Sequence, residues 1–169
     1  MAAPSFPVNA HRHDPYRNFK FQVLIDGQTV AGLNKVSALH KKTEVIEYRT
    51  GGDPTHSRKV PGRTEYMPIT LEQGVSHDPV FEEWANLVNN YDGDSAMSLI
   101  NFRKDIVLNL LNLQGVIAKT YIIRRCWVSE YVALPELESN EPATVAIEKI
   151  VIQHEGWDRD EATTEPTES

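Results

Sequence analysis

Residues 43–75 read TEVIEYRTGGDPTHSRKVPGRTEYMPITLEQGV, and this stretch decides the fold. At its start Val45, Glu47 and Arg49 alternate with Ile46 and Tyr48, the period of a β-strand. At its end Met67, Ile69 and Leu71 alternate with Tyr66, Thr70 and Glu72, a second strand. Between them Gly51, Gly52, Pro54, Pro61 and Gly62 are set among Arg49, His56, Arg58, Lys59 and Arg63. These residues predict one long basic loop. Long excursions are uncommon in compact domains unless they bind something. The expectation is an arm that takes its order from a partner.

Working outward, Phe19, Phe21, Val23 and Ile25 alternate with Asn18, Lys20, Gln22 and Leu24, and Asp26-Gly27 is a type I′ hairpin signal because both central residues need positive φ. The pattern resumes over residues 29–39 with Gly32 as an expected bulge. Asp78-Pro79 opens a helix, with Asp as N-cap and Pro at the first helical position. Its apolar stripe is Val80, Phe81, Trp84, Leu87, Val88 and Tyr91, with Glu82, Asn86 and Asn89 opposite, and 92–94 (Asp-Gly-Asp) as its end. Residues 106–111 alternate again, Gln114-Gly115 turns, and 118–132 forms a long strand. A loop at 134–143 carries Pro135, Pro142 and the acids Glu136, Glu138 and Glu141. Residues 145–154 close the domain, with an apolar phase change that predicts a bulge near Glu148. About seven strands and one packed α-helix make a mainly β fold, a β-sandwich or partly open barrel.

The 169 residues suit one domain with a sizeable core, and the 40% hydrophobic and 24% charged contents are those of an ordinary globular chain. No apolar run reaches the ~18 residues of a membrane helix, so no membrane partner is expected. Residues 1–15, with three prolines, predict a flexible arm and lack the apolar core of a secretory signal. A single cysteine, Cys126, forbids an internal disulfide and suits synthesis in a reducing compartment, with any exit from the cell by a route such as lysis. The net charge is −7, of which residues 158–169 hold −4, five acids against Arg159, leaving −3 for residues 1–157. Residues 158–169 are expected to be a disordered acidic tail, and 16–157 the folded domain. The near-neutral body argues against a general nucleic-acid binder.

Candidate chemistry is thin. His11, His13 and Asp14 have the types of metal ligands, but nothing completes a coordination shell. Asp53, His56 and Ser57 have the types of a hydrolytic triad, without a nucleophile elbow or an oxyanion-hole sequence. Cys126 sits in strand alternation and is expected as a packing residue. No catalytic, cofactor or metal site is expected. The basic loop has three readings: a nucleic-acid patch, for which stacking aromatics are wanting; an inert solvated loop; or an assembly arm. In the third, Arg49, Arg58, Lys59 and Arg63 pair with carboxylates of another copy, for which Glu136, Glu138 and Glu141 are candidates. A monomeric β-sandwich with a basic recognition loop is the alternative.

Four blocks carry a family resemblance: DPYRNFKFQVLIDG at 14–27, GGDP…RKVPG…PITLEQGV within 51–75, DPVFEEWANLV at 78–88, and CWVSEYVALPELESNEPATVAIEKIVIQHEGW at 126–157. In this order they resemble the tube proteins of contractile phage tails and of phage-derived extracellular contractile injection systems. The type VI secretion tube protein fits the second block less well. The resemblance implies a non-enzymatic subunit of hexameric rings stacked into a hollow tube, with a sheath outside it and baseplate or spike and terminator proteins at its ends. The lumen would pass protein cargo, or DNA in a true phage tail. It further implies assembly in the cytoplasm into a phage-like particle, and a sheath-facing surface on the helix, where Glu82 and Asn86 are the candidates.

Overall fold

A computed structural model describes residues 16–30, 32–52, 55–93, 95, 100–164 and 166. The main strands in chain order are β1 (Phe21–Ile25), β2 (Gln28–Thr29), β3 (Leu33–Val36), β4 (Lys41–Tyr48), β5 (Arg58–Tyr66) and β6 (Ile69–Gly74). After α1 (Val80–Val88) follow β7 (Lys104–Leu111), β8 (Ile117–Val132), β9 (Ile147–Gln153) and β10 (Gly156–Arg159). Seven strands form an antiparallel path in the order β2-β1-β7-β8-β9-β6-β3, with β10 on β8 as the eighth; β4 and β5 form a separate two-stranded sheet. The fold is mainly β with one helix, and the large sheet does not close on itself.

Strand β8 is the spine. Its first part pairs with β7 and β10, its last part with β9, and Arg125 between them has φ +53°. That value is uncommon for a residue with a Cβ. Asp105 Oδ1 accepts a hydrogen bond from the Arg125 amide at 2.9 Å, which holds the corner. The bend folds the sheet over a core of Val23, Ile25, Ile69, Leu71, Ile106, Ile123, Ile150 and Ile152. Helix α1 covers that core with Phe81 and Trp84, both fully buried, and Trp84 Nε1 donates to the Phe102 carbonyl at 2.8 Å. Burying each aromatic contributes roughly 1.5–3 kcal/mol.

Several expectations change. Residues 58–66 are strand β5, not loop, so the basic excursion shrinks to the 49–57 connection between β4 and β5. Pro61 and Gly62 misled because they lie at a bulge. Between Thr43↔Thr64 and Val45↔Pro61, β5 carries one more residue than β4. A bulge on a strand with a free edge tolerates a missing N–H. Gly62 fits closely there: a Cβ would stand 3.1 Å from the Ile46 side chain and 3.2 Å from the Glu44 carbonyl, which would have to give by a few tenths of an ångström.

Gly32 (φ +75°) separates β2 from β3 instead of bulging a single strand, and the two pair with different partners, β1 and β6. The helix begins one residue later than expected. Pro79 holds the cap position while Asp78 Oδ1 accepts the Val80 amide at 3.2 Å. The helix ends at Val88, so Tyr91 leaves its stripe and is fully exposed. No bulge falls at Glu148: β9 alternates regularly, and Glu148 is buried on the same side as Ile150 and Ile152. Residues 158–159 belong to β10, and the Asp160 amide donates to the Thr120 carbonyl at 2.8 Å. The boundary expected at 157/158 therefore falls inside a strand. Residues 1–15, 165 and 167–169, the expected arm and the far end of the tail, lie outside the described residues.

Candidate assembly surfaces

The β4–β5 hairpin is the dominant surface feature. All eight residues of β4 are exposed, and the hairpin's strands pair only with each other. Cross-strand partners share a face, so Ile46 with Val60 and Tyr48 with Arg58 occupy one face, Val45 with Pro61 and Glu47 with Lys59 the other. Val45, Ile46, Tyr48 and Val60 are all exposed apolar side chains, unusual for a strand pair standing alone in water. Lys59 lies 3.9 Å from Glu47 in an exposed pair, and Thr43 and Thr64 hydroxyls meet at 2.9 Å.

Its base, by contrast, is fastened. The Met67 amide donates to the His40 carbonyl and the Met67 carbonyl meets His154 Nε2, both at 2.9 Å. Lys41 Nζ stands 5.7 Å over the Trp157 ring, and Tyr66 lies against Gly156, where any Cβ would approach its ring to 3.3 Å. A groove of about 540 Å³ at this base is lined by Lys42, Glu44, Val45, Arg63 and Glu65 among others, bases and acids interleaved. The hairpin is a stiffly rooted projection with both faces uncovered.

Of the expected interface residues, Arg58, Lys59 and Arg63 are exposed on β5 and Arg49 begins the 49–57 connection. Glu136, Glu138 and Glu141 are exposed in the 133–146 connection between β8 and β9. Turns within that connection are held by the Glu141 carboxylate, which accepts the Thr144 hydroxyl at 3.2 Å, and by the Val75 amide on the Ala146 carbonyl at 3.0 Å. On α1, Glu82 is exposed as expected, whereas Asn86 is half-buried.

Sequence reading missed a polar network under the helix. Glu148 accepts from Gln73 Nε2 through Oε1 and from the Tyr131 hydroxyl at 3.3 Å through Oε2. Burial, then the charges of Glu148 and Glu82, pushes the Tyr131 hydroxyl up to about 12. The period-2 pattern of β9 carried this signal, since an acid in phase with Ile150 and Ile152 is either a bulge or a buried partner.

Catalytic types do not converge. His56 and Ser57 are exposed in the 49–57 connection, and Asp53 lies outside the described residues, as do His11, His13 and Asp14. Cys126 is fully buried, and burial, followed by the Asp105 charge, pushes its thiol up to about 12, which leaves it a packing residue. Among the described residues no group of three or more His, Cys, Asp or Glu side chains is placed to hold a metal, and no helix is long and apolar enough to cross a membrane.

The family described as T4-like virus tail tube protein gp19 matches residues 17–158. Among solved structures, the chain is similar to one in an extracellular contractile injection system, the PVC sheath–tube complex in its extended state. The TM-score is 0.72 at 22% identity, covering 88% of this chain and 93% of that one. It is similar also to a chain of the anti-feeding prophage tube-terminating cap, with TM-score 0.74, 21% identity and coverage of 90% and 95%. A chain of the anti-feeding prophage baseplate gives TM-score 0.71 at 16% identity, covering 88% and 97%. No curated protein matches the sequence.

Proposed function

The chain belongs to the T4-like virus tail tube protein family, and from that premise we propose that it forms hexameric rings which stack into the inner tube of a contractile particle. The observation that carries this reading is the β4–β5 hairpin, eight to nine residues per strand with apolar side chains bare on both faces. Such a hairpin standing alone is marginal in water, and a neighbouring copy would cover it. Arg49, Arg58, Lys59 and Arg63 form the charged part of that contact, and Glu136, Glu138 and Glu141 an acidic surface for another copy. Lateral closure uses the open edges of the large sheet, β3 at one end and the short β2 with β1 at the other. Joining such edges around a ring removes them from solvent, a closed heterologous arrangement.

Outside the tube, the exposed α1 face with Glu82, and Asn86 at its margin, meets a sheath protein. The tube's two ends meet baseplate or spike and terminator proteins, a reading supported by the similar chains found in a sheath–tube complex, a baseplate and a tube-terminating cap. The subunit assembles in the cytoplasm, becomes part of a phage-like particle, and passes cargo through the lumen without catalysing a reaction. The test is co-expression of the surrounding gene cluster with and without this gene. Sheathed particles with a filled core that become empty or unstable sheaths on deletion are expected. Intact, tube-filled particles in its absence overturn the assignment.

A further inference from the structure

The two ends of β8 carry surfaces that complement each other. At the β7–β8 end, Phe19, Leu113, Val116 and Ile117 are exposed apolar side chains, 39–58% accessible, around the 112–116 turn. They are drawn together by the Leu111 amide on the Lys20 carbonyl and by Lys20 Nζ on the Leu113 carbonyl. Arg17, Lys20 and Lys119 give this end three positive charges, and residues 16–24 and 106–123 contain no acid. Asp160 reaches the rim through its bond to Thr120, with its own carboxylate accepting the Ala162 amide. At the far end of β8, the 133–146 connection exposes Leu134, Leu137 and Val145, 58–71% accessible, among Glu136, Glu138 and Glu141, and contains no base.

One end is thus apolar with three bases and, at its rim, Asp160 and Glu161; the other is apolar with three acids and no base. Strand β8 runs roughly 25 Å on either side of its Arg125 corner at the usual rise per residue, so the two surfaces point to a contact between copies. A head-to-tail contact either closes into a ring or propagates along an axis; with the open sheet edges serving the ring, this contact is left for the axis.

Resting on the tube reading, we infer that the β7–β8 end of each subunit seats on the acidic 133–146 connection of a second copy in the next ring, and that this contact sets the polarity of the stack. Complementary charge fixes which end meets which, because like ends repel. With three or four exposed apolar residues each, the patches are too small by themselves to hold two free subunits together. Its strength comes from repetition around a ring, so it governs stacking and not ring formation. The β4–β5 hairpin, also apolar and basic, is a rival partner for the acidic connection, but it interleaves Glu44, Glu47 and Glu65 with its bases, whereas residues 16–24 and 106–123 hold no acid.

The experiment is charge exchange in the full-length protein, read by electron microscopy and sedimentation. Lys20→Glu with Lys119→Glu is expected to leave rings intact and shorten tubes at least tenfold, as is Glu136→Lys with Glu138→Lys. Combining all four changes is expected to restore tubes. Leu137→Ser, an exposed site with no bearing on folding, is expected to weaken stacking without altering charge. Wild-type tube length in both charge variants overturns the contact. So does rescue of the Glu136→Lys, Glu138→Lys variant by Arg58→Glu with Arg63→Glu in place of the lysine changes, which would assign the connection to the hairpin. Wild-type protein that never forms rings would overturn the tube reading itself, and this contact with it.

Discussion

Replacing residues 45–62 by Asn-Gly removes the hairpin beyond its Thr43–Thr64 pair, and the structure states what that should cost the subunit. The deleted residues contribute nothing to the core, since the buried cluster draws no member from β4 or β5. The Lys59–Glu47 ion pair, exposed on both sides, is worth about 0–1 kcal/mol. Against that, shortening an excursion of about twenty residues to about four lowers the entropic cost of closure by roughly 1.4 kcal/mol, at about 0.6 kcal/mol per halving. The fastening at the base, Met67 with His154 and Lys41 with Trp157, stays in place. The two terms oppose each other and leave at most about 1.4 kcal/mol, so the melting temperature of dilute subunit should move by no more than about 6 °C at 2–4 °C per kcal/mol. Assembly should fail in the same protein. Thermal unfolding followed by far-UV circular dichroism reads the first quantity, and pelleting with negative-stain microscopy the second. A fall of 10 °C or more would place the hairpin in the fold's own framework, and normal tubes would refute its role between copies.

Other outcomes follow from the interior. Trp84→Ala removes the largest buried side chain and its bond to the Phe102 carbonyl, and should cost about 3–5 kcal/mol, a drop on the order of 10 °C in melting temperature. Glu148→Ala strips both acceptor oxygens from Gln73 and Tyr131. It should cost about 2–3 kcal/mol, more than Tyr131→Phe at about 1 kcal/mol, and the two should be non-additive in urea unfolding. Because the Tyr131 hydroxyl is held up to about 12 against an ordinary value of 10.0, the unfolded chain loses that proton first as pH rises. The stability it contributes is present below pH 10 and declines between about pH 10 and 12, a slope that Tyr131→Phe should flatten. Cys126 should resist thiol reagents at neutral pH in the native protein and react once urea unfolds it.

What the sequence made legible followed from alternation and turn chemistry. Asp26-Gly27 does turn β1 into β2 with both φ values positive, and Phe81 with Trp84 does plug the core. What it hid had specific causes. Pro61 and Gly62 carry breaker chemistry, but at a bulge beside a free edge breakers are tolerated, so β5 looked like loop. Glu148 resembled a phase error because a single chain does not reveal that Gln73 and Tyr131, distant in sequence, arrive to bond it. Tyr91 continued the helical stripe by spacing alone, whereas the helix had already ended at Val88. Strand β10 is short, begins at Gly156 with φ +140°, and is largely charged, so nothing in its period marked it. The residues of the proposed contacts divide likewise: composition singled out the basic arm and the acidic connection, but the apolar end around Leu113 and Val116 emerges only once β1, β7 and β8 are side by side.

Cryo-electron microscopy of the purified full-length protein, over a concentration series and with baseplate components added as nuclei, tests the central claim most directly. The account predicts hollow tubes of stacked six-fold rings, with each β4–β5 hairpin lying against a neighbouring copy and the large sheets joined edge to edge around the lumen. Monomers at every concentration and with nuclei present, or rings in which the hairpin projects uncovered into solvent, would contradict it.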